Sequence, residues 1–257
     1  MTKLIILGSS TAVPDQTHAN THMAFKGDNG VVLVDCSGTQ ILRLAQAGIE
    51  IEEVSDIILT HFHPDHVGGI PLLLMNMWLL GRQEALRIYG LHHCLERVED
   101  MMGLYHWDNW PDFFPVAFHR LPERERVFVL EHGELKFFSS PVRHVIPTIR
   151  LRIELGGGEQ TLVYSSDTEP CESIIRLSQG ADVLIHEAAG ETVGHSSARQ
   201  AGSVAHQAEV GRLMLIHYPT REVNPEELLA EAQETYLGDV VLAEDFMEIN
   251  LEQGDFR

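Results

Sequence analysis

The sequence predicts an α/β fold of four layers, an α/β/β/α sandwich with two β-sheets pressed between outer helices. Two observations carry that expectation: the strand-like apolar runs come in two batches, and each batch is interleaved with helical patterns. A third observation sets the domain count. No composition break, linker, low-complexity tract or short-period repeat divides residues 1–257, which predicts a single domain.

In chain order, 3–7 (KLIIL) reads as a buried strand closed by Gly8-Ser-Ser-Thr, and 31–34 (VVLV) as a second that ends at Asp35-Cys-Ser-Gly38. Residues 39–47 have helical spacing and stop at Gly48, a residue suited to a C-terminal cap. A short strand at 57–59 runs into Thr60-His-Phe-His-Pro-Asp-His-Val-Gly-Gly69. An apolar helix follows at 72–80 and a strand at 87–89, so this half reads β-β-α-β-α-β. The second batch has strands at 135–139, 148–155 and 161–165, a helix at 171–179 and a strand at 183–185. It closes with helices at 197–208 and 225–235 alternating with strands at 212–216 and 240–242. Residues 101–115 hold Tyr105, Trp107, Trp110, Phe113 and Phe114. These rings form either a lid over a pocket or, as the burial habit of aromatics favours, the packing of a helix and its following loop.

Of 257 residues, 44% are hydrophobic and 22% charged, which excludes a disordered or fibrous chain. The 38 acidic against 18 basic residues give a formal charge of −20, which argues against holding nucleic acid by bulk electrostatics. Cys36, Cys94 and Cys171 are far apart and lack metal-ligand spacing, as expected of reduced thiols in a cytoplasmic protein. The apolar run at the N-terminus is too short for a signal peptide, and the oily stretch 70–80, broken by Pro71 and Asn76, is too short for a membrane span. A cytoplasmic protein with no membrane partner is the expectation.

His61-Phe-His63-Pro-Asp65-His66 packs three imidazoles and a carboxylate into six residues after a strand. In extended chain His61 and His63 point the same way, because side chains alternate with period two. Asp65 and His66 then enter a loop or first helical turn and point elsewhere, which suits two neighbouring metal ions. Imidazole and carboxylate fit Zn²⁺ best, with Mn²⁺ or Fe²⁺ also served. Gly68-Gly69 is expected to let the backbone turn tightly beside the site. His18, His22, His92, His93, His106, His119 and His132 read as ordinary surface or loop residues, and His186 as structural at the end of a buried strand.

These residues resemble the metallo-β-lactamase superfamily, whose signature is H-x-H-x-D-H followed by Gly, and the resemblance spans nearly the whole chain. It implies the metallo-β-lactamase fold. It also implies one metal held by His61, His63 and His144, another by Asp65, His66 and His217, and Asp167 bridging them. Asp35 would orient a ligand through a hydrogen bond without touching metal. The opening 4–14 and the segment 34–40 look like the ribonuclease Z branch. So do 181–188 and Gly194-His195-Ser196-Ser197, which resemble its paired His-Glu-Ala and His-Ser-Thr motifs, with Ser197 in place of Thr. By that resemblance His195 protonates the leaving oxygen and Glu187 orients its ring; the plainer reading makes His195 a cap for the helix at 197–208. The implied chemistry is hydrolysis of a phosphodiester by a hydroxide shared between two metals about 4 Å apart, with Asp65 aiming it.

The match breaks at the long arm with which ribonuclease Z grips tRNA, which lies between the His144 and Asp167 motifs. Here that interval reads as a plain β-hairpin, 149–155 and 161–165 around Gly156-Gly-Gly-Glu159, and no segment offers a basic patch. A small phosphodiester or nucleotide-like substrate is therefore expected ahead of a tRNA precursor. The alternatives are a thioester or lactone hydrolase of the same fold and a catalytically idle structural subunit. Family resemblance also implies a homodimer, with 72–80 as interface or, equally, as core helix.

Overall fold

The computed structural model describes residues 2–221 and 223–251. Its first half contains β1 (Lys3–Gly8), β2 (His22–Gly27), β3 (Gly30–Val34), α1 (Gln40–Gln46), β4 (Val54–Ile58), α2 (Pro64–Val67), α3 (Ile70–Leu79), β5 (Leu86–Leu91), α4 (His92–Leu104) and β6 (Val116–Leu121). The second half contains β7 (Val127–His132), β8 (Leu135–Pro141), β9 (Ile149–Leu155), β10 (Gln160–Tyr164), α5 (Glu172–Ser178), β11 (Val183–Glu187), α6 (Ala198–Gln207), β12 (Arg212–Ile216), α7 (Pro225–Gln233), β13 (Asp239–Leu242) and β14 (Glu248–Asn250). Two seven-stranded mixed sheets result, in the orders β14-β1-β2-β3-β4-β5-β6 and β13-β12-β11-β10-β9-β8-β7.

Alternation along the strands builds the four layers. On β1, Leu4 and Ile6 enter a core that also contains Phe137, Leu151 and Ile185 of the other sheet, while Ile5 and Leu7 join the outer cluster with Leu44, Leu74 and Leu95 of α1, α3 and α4. On β12, Met214 and Ile216 face the same central core, and Leu213 and Leu215 face Ile174, Ala201 and Leu228 of α5, α6 and α7. Sheets covered on both faces need strands that are apolar throughout, which is why KLIIL and VVLV lack a polar face. Phe25 and Phe137 meet edge-on across the sheets at 5.2 Å.

The predicted elements are present, and several more appear. β2 is nearly all buried but its sequence, HMAFKG, carries His and Lys, so its apolar pattern was masked. β6 and β7 are edge strands with several exposed residues, which leaves little hydrophobic signal. Four of the five 101–115 rings pack against the helical cluster, with Trp110 stacked on Trp78 of α3 at 4.9 Å and Phe114 buried, while Tyr105 is exposed. His22 and His132, expected at the surface, are both buried.

At the end of the sandwich remote from the strand termini that carry the histidine motif, Asp56 on β4 is 1% exposed and accepts two bonds of 2.7 Å from Arg87. Ser55 Oγ donates at 2.7 Å and Tyr89 at 3.2 Å, and His132 Nδ1 of the other sheet lies 3.6 Å away. Burial alone would raise its pKa, but the bonds from His132, Arg87 and Ser55 outweigh it and hold the carboxyl at about 2. A depressed carboxyl pKa stabilises the fold above about pH 4 and loses that contribution as pH falls toward about 2. Asp56→Ala should thus cost on the order of 2 kcal/mol near neutral pH. In urea titrations the gap to the wild type should narrow by about pH 3; a constant gap would contradict this account.

Candidate metal centre

All the motif residues lie at the carboxyl ends of strands, the usual ligand edge of a sheet with parallel strands. Asp35 follows β3, His61 follows β4, His144 follows β8, Asp167 follows β10, Glu187 ends β11 and His217 follows β12. Ile149 N donates to Thr60 O at 3.1 Å, tying the two sheets together at this edge. Asp35, Ser166 and His217 have φ of 63°, 53° and 51°. Left-handed conformations at non-glycine residues are costly, and such strain concentrates at functional sites.

His63, extended at φ −104° and ψ 150°, precedes the one-turn helix α2, which starts at Pro64. The chain therefore bends after His63, and Asp65 and His66 project from the first helical turn. Gly68 and Gly69 serve close approach rather than an unusual backbone conformation, since their φ values are −62° and −82°. A Cβ on Gly68 would stand 2.4 Å from Pro64 O, and one on Gly69 2.8 Å from Gly38 O.

The structure gathers the predicted residues into two groups whose ligand atoms converge: His61, His63, His144 and Asp167, and Asp65, His66 and His217. Asp167 Oδ2 stands between them, 3.7 Å from His61 Nε2, 3.5 Å from His66 Nε2, 3.5 Å from His217 Nε2 and 4.0 Å from His144 Nε2. Asp167, His195 and His217 form a third, overlapping group.

Most rings are fixed through their other nitrogen. His66 Nδ1 donates to Asp35 Oδ2 at 2.8 Å, His144 Nδ1 to Gly194 O at 2.7 Å, and His217 Nδ1 to Thr21 Oγ1 at 3.1 Å. His61 Nδ1 lies 3.0 Å from Thr60 Oγ1, whose hydroxyl donates to Asp35. Each leaves Nε2 for the centre and so fixes a tautomer. Asp35, expected to hydrogen-bond a ligand ring, meets His66, whereas the contacts of Thr21, Thr60 and the Gly194 carbonyl had no signal in the sequence, since each acts through one common atom.

The donor set fits divalent cations. His63 Nδ1 is 3.0 Å from His61 Nε2 and 3.2 Å from His144 Nε2, close to the edge of about 3.3 Å that a tetrahedral zinc with bonds of about 2.0–2.1 Å requires. His66 Nε2 and Asp167 Oδ1 are buried with no hydrogen-bond partner, a cost that a cation would remove. Burial and the neighbouring imidazoles hold the His61 pKa well below its ordinary value, and a neutral ring is the form that binds metal.

His195 is not a helix cap; Ser197 caps α6, its Oγ accepting from Gln200 N. His195 Nδ1 instead donates to Glu187 Oε1 at 3.1 Å. Glu187, fully buried, also accepts from Thr168 N, Ser196 N and Ala189 N at 3.2, 2.9 and 2.8 Å. Burial pushes the Glu187 pKa up, to about 7, against the hydrogen bond from His195. Burial lowers that of His195, but the bond to Glu187 outweighs it and the net shift is upward. His195 lines an open cavity of about 560 Å³ beside Glu169 and Thr192.

A family model described as a beta-lactamase superfamily domain matches residues 31–218, and a curated relative, ribonuclease Z of Methanothermobacter thermautotrophicus, is 31% identical over 99% of this chain and 98% of its own. The chain belongs to the metallo-β-lactamase-fold hydrolase superfamily, in its ribonuclease Z-like branch. That membership makes it an enzyme, a metal-dependent hydrolase of the phosphodiesterase class. Its comparison with the archaeal relative runs over 317 positions, more than this chain contains, so the relative has segments with no counterpart here. Among solved structures, the metallo-beta-lactamase fold protein YhfI from Bacillus subtilis superposes with a TM-score of 0.81 at 24% identity, covering 96% of this chain and 98% of that one. The short form of human tRNase Z gives 0.78 at 22% identity, with 97% and 99% covered. Both show the fold.

Gly194 offers a specific test of how His144 is held. Its φ is +84°, and a Cβ would stand 2.8 Å from His144 Nδ1. Gly194→Ala should weaken metal binding about 10–100-fold in competition with a chromogenic chelator, with the far-ultraviolet circular dichroism unchanged. Undiminished affinity would contradict the role given to this carbonyl.

Proposed function

We propose that the whole chain works as one domain and hydrolyses a small phosphodiester, such as a cyclic nucleotide or short oligonucleotide, at a binuclear centre. One metal is assigned to His61, His63 and His144, the other to Asp65, His66 and His217, with Asp167 shared. Zinc suits this set best, and manganese or iron is also served by it. The observation that carries the reading is the Glu187–His195 pair set against the Asp167 cluster, with His195 Nδ1 4.0 Å from Asp167 Oδ2. Such a pair supplies a proton beside a metal centre, which a poor alkoxide leaving group needs.

When bound, the two cations supply Lewis acidity, neutralising the phosphoryl oxygens and making water a competent nucleophile near neutral pH. Asp65 accepts a hydrogen bond from the attacking water and aims it in line with the departing oxygen. His195 keeps Nδ1 on Glu187 and gives the Nε2 proton to the leaving oxygen. Glu187, itself held by three backbone N–H groups, is a positioning residue that fixes the ring and favours its charged form.

Substrate size rests on the segment between His144 and Asp167. It contains β9, β10 and the glycine turn between them, with Leu155 paired to Gln160. The relatives named ribonuclease Z support a nucleic-acid-type phosphodiester, while this short hairpin favours a smaller one over precursor tRNA. No described helix is long and apolar enough to cross a membrane, and cytoplasmic residence is part of the proposal. A homodimer is proposed too: Leu72, Leu79 and Leu80 at α3 are exposed, and light scattering should give twice the chain mass.

The catalytic assignment is tested by leaving-group dependence. His195→Ala should lower turnover of a dinucleotide by about 100-fold or more, and of bis-p-nitrophenyl phosphate far less, because nitrophenolate departs without a proton. Equal losses on both substrates would overturn the acid role. Thioester or lactone hydrolysis indifferent to His195, with no diester turnover, would move the assignment to that class.

A further inference from the structure

Beyond the metal centre, a cavity of about 310 Å³ opens on the outer face of the second sheet beside α5. Arg126, Arg150, Arg152 and Arg176 all line it. The chain has only 18 basic residues against 38 acidic ones, so four guanidinium groups at one cavity is a concentration, and it corrects the expectation that no basic patch exists. The sequence hides it because the residues come from three separate segments.

Arg150 is the informative member. β9 alternates, so Ile149, Leu151 and Ile153 enter the central core while Arg150 and Arg152 face outward. The Arg150 side chain is buried, with the residue 1% exposed, and its Nη1 donates to Ser173 Oγ at 2.9 Å. Its Nε is buried with no hydrogen-bond partner. Among the described residues no carboxylate is paired with it, whereas its neighbours are matched. Arg176 holds Glu125 at 2.6 Å, and Arg126 and Arg152 share Glu154 at 3.2 and 2.9 Å. Burial lowers the Arg150 pKa to about 10, yet it stays charged at neutral pH. The Cys171 thiol also faces it, but a buried guanidinium with no carboxylate partner is costly, and an anion that enters the cavity removes the cost.

We propose that this cavity is a second ligand site, separate from the metal centre, that takes a phosphate group. Guanidinium groups converging from the loop before β7, from β9 and from α5 suit a tetrahedral dianion that accepts several paired hydrogen bonds, better than a planar carboxylate with two acceptor oxygens. Arg150 supplies the buried charge and its free Nε–H. Arg126 and Arg176 stand at the rim, exposed on their outer sides; Glu125 also lines the cavity and is held there by Arg176. The site stands on its own observations and does not require the proposed reaction.

Calorimetric titration of the metal-loaded protein with inorganic phosphate, at fixed ionic strength, tests it. Wild type should bind at the cavity, and Arg126→Ala/Arg176→Ala, whose substituted side chains are largely exposed, should weaken that binding at least tenfold. Arg150→Met should abolish it. Inhibition of bis-p-nitrophenyl phosphate turnover by phosphate, which reports on the metal centre, should be the same in wild type and the double variant. A dinucleotide with only an internal phosphate, titrated with and without the double substitution in a His195→Ala background that slows its cleavage, separates the sources of the group: loss of its binding with the double substitution indicates a backbone phosphate, and loss for inorganic phosphate alone a terminal or free one. Isotherms identical in wild type and the double variant would overturn the proposal.

Discussion

Five imidazoles close on one carboxylate: His61, His66, His144, His195 and His217 each place a ring nitrogen within 4.0 Å of Asp167 Oδ2. Asp167 is buried, and His61 and His66 are buried with it. A carboxylate buried among so many imidazoles is a poor arrangement in a low-dielectric interior unless positive charge stands between the groups. Much of the surrounding structure is explained by the need to hold these donors facing one another. Asp35, Thr21, Thr60 and the Gly194 carbonyl each spend a hydrogen bond on a ring nitrogen that points away from the centre. The left-handed turns at Asp35, Ser166 and His217 bring strand ends from two sheets to one place.

The two-sheet architecture serves the same end. The sheets share one apolar core, with Phe25 against Phe137, so their carboxyl ends are fixed relative to each other by packing rather than by the site. A centre whose ligands come from both sheets depends on that packing holding distances to a few tenths of an ångström. Glu187 shows the same logic at closer range: backbone N–H groups of three residues and His195 converge on it, so the proposed proton donor is set by the fold of β11 and the loop before α6.

Much of this was legible in the sequence, for physical reasons. Strands buried on both faces are continuous apolar runs, and KLIIL and VVLV announce themselves; β2, with His22 and Lys26 in it, does not. The dense spacing of His61, His63, Asp65 and His66 carries a residue-type signal of its own, whereas Asp35, His144, Asp167 and His217, single residues at strand ends, were named only through the resemblance to the metallo-β-lactamase superfamily. Groups that act through a backbone carbonyl or a common hydroxyl carry none, so the hydrogen bonds that the Gly194 carbonyl, Thr21 and Thr60 make to the rings had no sequence signal. His22 and His132 look like any loop histidine until packing buries them. The arginine cavity was invisible because its charge is assembled in space from residues 126, 150, 152 and 176, and sequence-local charge counting sees only an acidic chain.

The central claim is that two cations occupy the centre, shared across Asp167. Anomalous diffraction from crystals of the zinc-loaded protein, collected above and below the zinc edge, tests it most directly. The account predicts two peaks per chain about 3.5–4 Å apart, one among His61, His63 and His144 and one among Asp65, His66 and His217, with Asp167 touching both. A single peak, or zinc bound elsewhere with these histidines free, would contradict it.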